Sequence, residues 1–158
     1  MNILITGGGG FIGYRVALAL LERGTAADAD GKQQAISQIT LIDTGFPAQT
    51  DPRLKCVKGD FTNPALLAEA MGGDTGSVFH LAAVVSGGAE ADFDLGMKVN
   101  LDGTRGLLEQ CRKQARPPRY VFASSVAAFG GDLPPVLDDS ITPNPQTLSL
   151  IHIPSPRD

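Results

Sequence analysis

The feature that most restricts the fold is the stretch Thr6-Gly7-Gly8-Gly9-Gly10-Phe11-Ile12-Gly13, close to the start of the 158-residue chain. A short apolar run, Asn2–Thr6, precedes it and reads as a buried strand entering a turn. After it, Ile12, Val16, Ala17, Leu20 and Leu21 recur at helical spacing until Gly24 ends the pattern. Glycines between a strand and a helix let backbone approach a pyrophosphate closely. The helix N-terminus then offers unpaired N–H groups and a partial positive charge. The spacing Gly7-x-x-Gly10-x-x-Gly13 therefore predicts a dinucleotide-binding turn, although a flexible turn alone would also tolerate such a run.

The rest of the chain alternates in the same way. Strands are expected at Ile39–Ile42, Leu54–Val57, Ser77–Leu81 and Arg119–Ala123. A helix is expected over Pro64–Met71, with Asn63 as its cap, and mostly helical chain over Ala91–Gln114. Thr25–Gln38 is polar and reads as an exposed connection, and Asp132–Gln146 reads as a Pro- and Asp-rich loop. Strands alternating with helices imply crossovers, hence an α/β fold with a doubly wound parallel sheet, the Rossmann fold. Asp43 ends the second predicted strand, where a carboxylate can accept from ribose hydroxyls and repel a 2′-phosphate, favouring NAD over NADP. A turn aspartate before Thr44-Gly45 is the competing reading. Asp43 lies beyond the usual distance of about 20 residues from the glycines. An insertion within Thr25–Gln38 accounts for the excess at little thermodynamic cost.

Composition narrows the partners. A formal net charge of −4 argues against non-specific binding to nucleic acid or to an acidic membrane. No apolar run has the length of a membrane helix, and the opening residues are too short for a secretory signal. Cys56 and Cys111 make no disulfide framework, and no Cys or His cluster offers a metal site. These features predict a cytoplasmic protein with reduced, inert thiols. His80, inside an apolar strand, reads as a packed, hydrogen-bonded histidine rather than a catalytic one, and His152 is assigned no role.

Taken together, Thr6–Gly13, Asp43, Gly59-Asp60, His80-Leu81-Ala82-Ala83, Val99-Asn100, and Ser124-Ser125 followed by Phe129-Gly130 resemble the extended short-chain dehydrogenase/reductases, the NAD-dependent epimerase/dehydratase group. The resemblance covers residues 1–147. Val84–Gly87, Ala89–Asp94 and Asn100–Arg105 are most similar to a branch that oxidises a four-carbon sugar acid of the erythronate type at C2 with NAD. The resemblance implies cofactor-binding roles for Gly7, Gly10, Phe11, Ile12, Gly13 and Asp43. It implies that Asp60 accepts from the adenine amino group with Phe61 beside the ring. Leu81, Ala82 and Ala83 would line the cofactor ribose, and Asn100 would bond backbone or water near the nicotinamide. Ser125 matches the active-site serine that bonds the substrate oxygen, and Ser86 and Gly87 would lie in a loop facing the substrate. Phe129 stands where the family often has Tyr. A homodimer is the oligomer the family implies for a longer parent protein.

The same resemblance predicts a Tyr acting as general acid/base and, four residues on, a Lys whose charge lowers the Tyr pKa. They are expected near positions 149 and 153, which hold Ser149 and Ile153. The only tyrosines are Tyr14 and Tyr120, and the last lysine is Lys113. Leu148–Asp158 departs from the family pattern and resembles translated sequencing-adapter DNA. The expectation is an incomplete NAD-binding domain over 1–147 with a non-family tail over 148–158, able to bind NAD and inactive as a dehydrogenase. A sheet ending after its fifth strand is expected to leave apolar surface uncovered. A fragment of a related epimerase or dehydratase, and a non-catalytic NAD-binding module, are the alternatives.

Overall fold

The computed structural model describes residues 1–146; the expectations for Leu148–Asp158, Ser149, His152 and Ile153 lie outside the described residues. In chain order the elements are β1 (Asn2–Thr6), α1 (Phe11–Arg23), β2 (Thr25–Ala27), β3 (Gln33–Ala35), β4 (Gln38–Asp43), β5 (Leu54–Lys58), α2 (Pro64–Met71), β6 (Thr75–His80), α3 (Ser86–Ala91) and α4 (Phe93–Gly96). A π-helical segment (Met97–Gly103), α5 (Thr104–Lys113), β7 (Arg119–Phe122) and a 3₁₀ turn (Val126–Ala128) follow. The chain divides into two compact units. One comprises Met1–Ala82 and Arg105–Ala123, the other Ala83–Thr104 and the chain from Ser124 onward.

The first unit holds a five-stranded sheet in the order β5-β4-β1-β6-β7. Every neighbouring pair is parallel. Chain order reverses at β1: β4 and β5 lie on one side, and the chain crosses back to place β6 and β7 on the other. Such a reversal leaves a crevice at the carboxyl ends of the two strands that flank it. Strand register fixes which residues meet there, with Thr6 opposite both Ile42 and His80.

The central strands β1 and β4 are apolar because both of their faces are covered. On one face Ile3, Ile5, Ile39 and Leu41 pack with Ala17 and Leu21 of α1. Leu4, Ile42 and Val78, of opposite pleat, are also fully buried. The start of α2 follows its sequence signals: the Asn63 side chain accepts from the amides of Ala65 and Leu66, and Pro64 occupies the first position. Gly24, at φ 71°, ends α1 in the left-handed conformation.

Two sequence expectations are corrected. Thr25–Gln38 is exposed over much of its length, but it is an antiparallel hairpin, β2–β3, rather than a plain connection. Ala26 and Ile36 of this segment enter the core beneath α1. The turn is held by the Asp28 carboxylate, which accepts from the amides of Asp30 and Lys32 and from Gln34 Nε2. The Gln34 contact, followed by the Lys32 amide, holds the Asp28 carboxyl below its ordinary range. Gly31 supplies the positive φ of 80° that the turn needs. The long helix expected over Ala91–Gln114 starts earlier, at Ser86, is interrupted at Asp92, and widens into a π-helical turn before α5. Asp92 causes the break by accepting from the Leu95 amide as the cap of a new helix. Ser86 and Gly87 therefore belong to the first turn of α3, not to a loop.

β7 is an edge strand that pairs only with β6 among the described residues, and Val121 on it is 38% exposed. The loop expected over Asp132–Gln146 contains no helix or strand. Cys111 is buried, and burial pushes its thiol up to about 11, so it is inert at neutral pH.

Candidate nucleotide-binding site

The turn after β1 is shaped by backbone lying where side chains would otherwise be. Gly7 has φ 70° and donates from its amide to Ile42 O at 3.0 Å. A Cβ on Gly7 would sit 2.8 Å from the Ala82 nitrogen, and one on Gly8 2.7 Å from Leu41 Cβ. At Gly9 a Cβ would overlap the carbonyl oxygen of Gly45, and at Gly13 that of Gly7. Gly10 is the loosest position, with its nearest neighbour, Gly7 O, at 3.3 Å. It also forms the N-cap of α1, with no side-chain cap and no acidic residue in the first turn. The first amides of α1 thus keep their free donors and the positive end of the helix is uncompensated within its own turn. Phe11 and Ile12 stand 82% and 63% exposed beside them, and the Arg15 guanidinium lies 6.0 Å from the Phe11 ring centre. An uncapped helix N-terminus behind such a turn is a geometry suited to an anion, and a Cβ at Gly7, Gly9 or Gly13 would collide with the backbone that shapes it.

Asp43 ends β4 beside this turn, half-buried. Its Oδ2 accepts from the Gly9 amide at 3.0 Å, and its Oδ1 from the Thr44 amide at 2.7 Å and the Thr44 hydroxyl at 3.3 Å. Asp60 is exposed after β5, and its carboxylate accepts from the Thr62 amide at 2.9 Å. Phe61 departs from expectation. It is 6% exposed and packs edge-on against His80 at 5.3 Å, so its ring belongs to the core rather than to a ligand surface. Leu81 and Ala82 follow β6 where Gly7 closes on them, and the Leu81 amide donates to Thr6 O.

A buried polar link ties these pieces together. Thr6 Oγ1 and His80 Nδ1 share a hydrogen bond of 2.6 Å, and the Ala82 amide donates to the same hydroxyl at 3.3 Å. The His80 ring is 1% exposed and lies among Phe61, Tyr120 and Phe122. Burial lowers its pKa to about 4, so the ring is neutral at ordinary pH and serves as a hydrogen-bonded core residue. Thr6 and Gly9 stand within the glycine stretch read from the sequence, but neither has a role of its own there. Gly9 was hidden in a run of four glycines, in which spacing cannot show which one meets the carboxylate.

In the second unit, Asn100 is 3% exposed, with Oδ1 accepting from the Val84 amide at 2.9 Å and Nδ2 donating to Val84 O at 3.0 Å. It bonds backbone, as expected, and so fixes the segment that begins with the exposed Ala83. Ser125 is exposed and accepts from the Ala127 amide at 3.2 Å, capping the 3₁₀ turn. Its hydroxyl proton is not used in that bond. Gly130 lies under Asn144 and Gln146: a Cβ there would meet Asn144 O at 2.8 Å. Among the described residues no group of three or more His, Cys, Asp or Glu could hold a metal, and no helix is long and apolar enough to cross a membrane.

A glycine turn at a strand-order reversal, a carboxylate one strand away and small residues after β6 define a dinucleotide-binding α/β protein. The sequence model of the NAD dependent epimerase/dehydratase family matches residues 3–149, and the chain belongs to that family. It is 55% identical over 148 residues to the D-erythronate dehydrogenase of Cupriavidus necator, a match covering 93% of this chain and 45% of the relative. A D-erythronate dehydrogenase from Haemophilus influenzae is 40% identical, again over 93% of this chain and 45% of the relative. Among solved structures, the nucleoside-diphosphate-sugar epimerase from Agrobacterium tumefaciens superposes with a TM-score of 0.77 at 35% identity, over 96% of this chain and 45% of that one. The chain thus spans about half the length of the curated relatives it matches.

Proposed function

We propose that the chain binds NAD at the Thr6–Gly13 turn and is the cofactor half of a dehydrogenase that oxidises an erythronate-like sugar acid at C2. The observation that supports the binding is the uncapped N-terminus of α1, reached through a turn in which backbone occupies the Cβ positions of Gly7, Gly9 and Gly13. In this reading Asp43 accepts from the adenosine ribose hydroxyls, the first amides of α1 hold the pyrophosphate, and Asp60 accepts from the adenine amino group. Leu81, Ala82 and Ala83 let the second ribose approach backbone. Ser125 donates its hydroxyl proton to the substrate oxygen. NAD would supply hydride-acceptor chemistry at C2 in the longer parent, where a general base other than the residues named here would take the C2 hydroxyl proton.

The substrate class rests on the 55% identity to a D-erythronate dehydrogenase. The likeness to a nucleoside-diphosphate-sugar epimerase supports a second reading, in which a nucleotide sugar is the substrate. The chain has no Tyr-x-x-x-Lys sequence, so the proposal is binding without turnover.

Calorimetric titration with NAD tests the binding. A Cβ at Gly10 would lie 3.3 Å from Gly7 O, a contact a small shift relieves, so Gly10→Ala is the steric control for the charge. Gly10→Asp puts a carboxylate beside the pyrophosphate. At about 5 Å and an effective dielectric near 20 the repulsion is about 3 kcal/mol, roughly a hundredfold in Kd. Equal affinity of Gly10→Asp and Gly10→Ala would refute the assignment. For the substrate, the full-length parent protein is assayed on D-erythronate against nucleotide sugars, and turnover of the latter alone selects the second reading.

A further inference from the structure

We infer that Gly9 is a positioning residue for cofactor selectivity, holding Asp43 so that a ribose diol is accepted and a 2′-phosphate refused. The inference rests on the NAD reading and adds to it a residue that does not itself carry the discriminating charge. A carboxylate on a strand end discriminates against a phosphate only while it stays in place. A freely rotating aspartate swings aside and admits the larger anion. Asp43 is not free. Its two oxygens are fixed from opposite sides, Oδ2 by the Gly9 amide at 3.0 Å and Oδ1 by the Thr44 amide at 2.7 Å. A carboxylate has about four acceptor sites, and the Thr44 hydroxyl at 3.3 Å takes a third. What remains can accept from a hydroxyl and can only repel a phosphate.

The Gly9 amide reaches Asp43 because Gly9 has no side chain. A Cβ would overlap Gly45 O and lie 3.1 Å from Asp43 Cβ, pushing the Thr44–Gly45 loop and the carboxylate away together. The Gly9 donor is also consumed by this bond. In a turn built to bind anions, releasing it would supply a donor to the very phosphate that Asp43 excludes. Loss of the contact therefore acts twice on selectivity, by freeing the carboxylate and by freeing the amide. Gly45 differs: a Cβ there meets nothing within 4 Å, so the position tolerates a side chain.

The test measures Kd for NAD and for NADP on the whole chain, with circular dichroism to confirm folding. Gly9→Ala displaces the contact from one side, and Thr44→Pro removes the other pinning amide without touching the Gly9–Gly45 approach. Gly45→Ala is the control. Gly9→Ala breaks one charge-assisted hydrogen bond and Thr44→Pro removes that of the amide together with the longer one of the hydroxyl, so the ratio Kd(NADP)/Kd(NAD) falls about tenfold or more in either variant and is unchanged in the control. If Gly9→Ala does not fold, Thr44→Pro decides. A loss of affinity shared equally by both cofactors, with the ratio held, means a merely structural role and overturns the inference. Wild-type chain that binds neither cofactor overturns the NAD reading itself, and the inference falls with it.

Discussion

Replacing Thr6 with Val keeps the shape of the side chain and removes the hydroxyl that joins β1 to β6. Packing alone would make this change neutral or favourable, since Thr6 is fully buried. The hydrogen bonds reverse the sign. His80 Nδ1 loses a 2.6 Å partner at a site where the ring is 1% exposed, and an unsatisfied buried group costs about 1–3 kcal/mol. The Ala82 amide loses a longer bond of 3.3 Å, but Ala82 is half-buried and water recovers part of that cost. The extra methyl returns less than about 1 kcal/mol. The net loss is about 2 kcal/mol, or roughly 4–8 °C in Tm for a chain of this size. Thr6→Ser keeps both bonds and loses a buried methyl, at about 1 kcal/mol. The order is therefore wild type, then Ser, then Val, although Val is the most apolar of the three. The chain has no tryptophan, so the assay is thermal unfolding followed by far-UV circular dichroism. A Val variant as stable as the Ser variant would show that packing, not the hydroxyl, holds the two strand ends together.

The buried His80 also sets a pH dependence. Its pKa falls from 6.5 to about 4 on folding, so the unfolded chain binds the extra proton first. Stability is full above about 6.5 and falls as the pH drops toward 4, by roughly 3 kcal/mol over that window. Subtracting the profile of His80→Leu from that of wild type isolates this contribution from the carboxylates, and a flat difference between pH 4 and 6.5 contradicts it. In the second unit, Asn100→Asp turns the group facing Val84 O from donor to acceptor in a buried setting. A loss of about 2–4 kcal/mol is expected, together with faster hydrogen exchange at the Val84 amide. Unchanged exchange there means that Asn100 does not hold the segment.

What the sequence showed and what it hid follow from where the stabilising interactions come from. Ile39–Ile42 reads as a strand because a central strand of a parallel sheet is buried on both faces and needs an apolar run, which is visible locally, and Leu54–Val57 shows its apolar ends around the exposed Lys55. Asn63-Pro64 marked the start of α2 because a cap is a contact between near neighbours. The hairpin at Thr25–Ala35 gave no such signal. Its strands are three residues each, its turn is held by the Asp28 side chain, and Ala26 and Ile36 are buried only once α1 and the sheet are present. Gly87 and Gly88 are poor helix formers and masked α3. Phe61 was placed beside an adenine because it follows Asp60, whereas its burial depends on His80, brought in from a strand that comes later in the chain.

The division into units sharpens what the site can do. Gly7–Gly13, Asp43, Asp60, Leu81 and Ala82 all fall within Met1–Ala82 of the first unit, whereas Ala83, Asn100 and Ser125 fall in the second. The residues proposed to hold the adenosine and the pyrophosphate therefore fold around one parallel sheet and its order reversal. The Gly9–Asp43 bond, the Gly7–Ala82 approach and the Thr6–His80 link all lie inside the first unit. In the proposed reading, affinity for the adenosine half of a dinucleotide resides at the β1, β4 and β6 strand ends. On this basis ADP-ribose, which lacks the nicotinamide, retains most of the NAD affinity, while substitutions at Ser125 leave that affinity untouched.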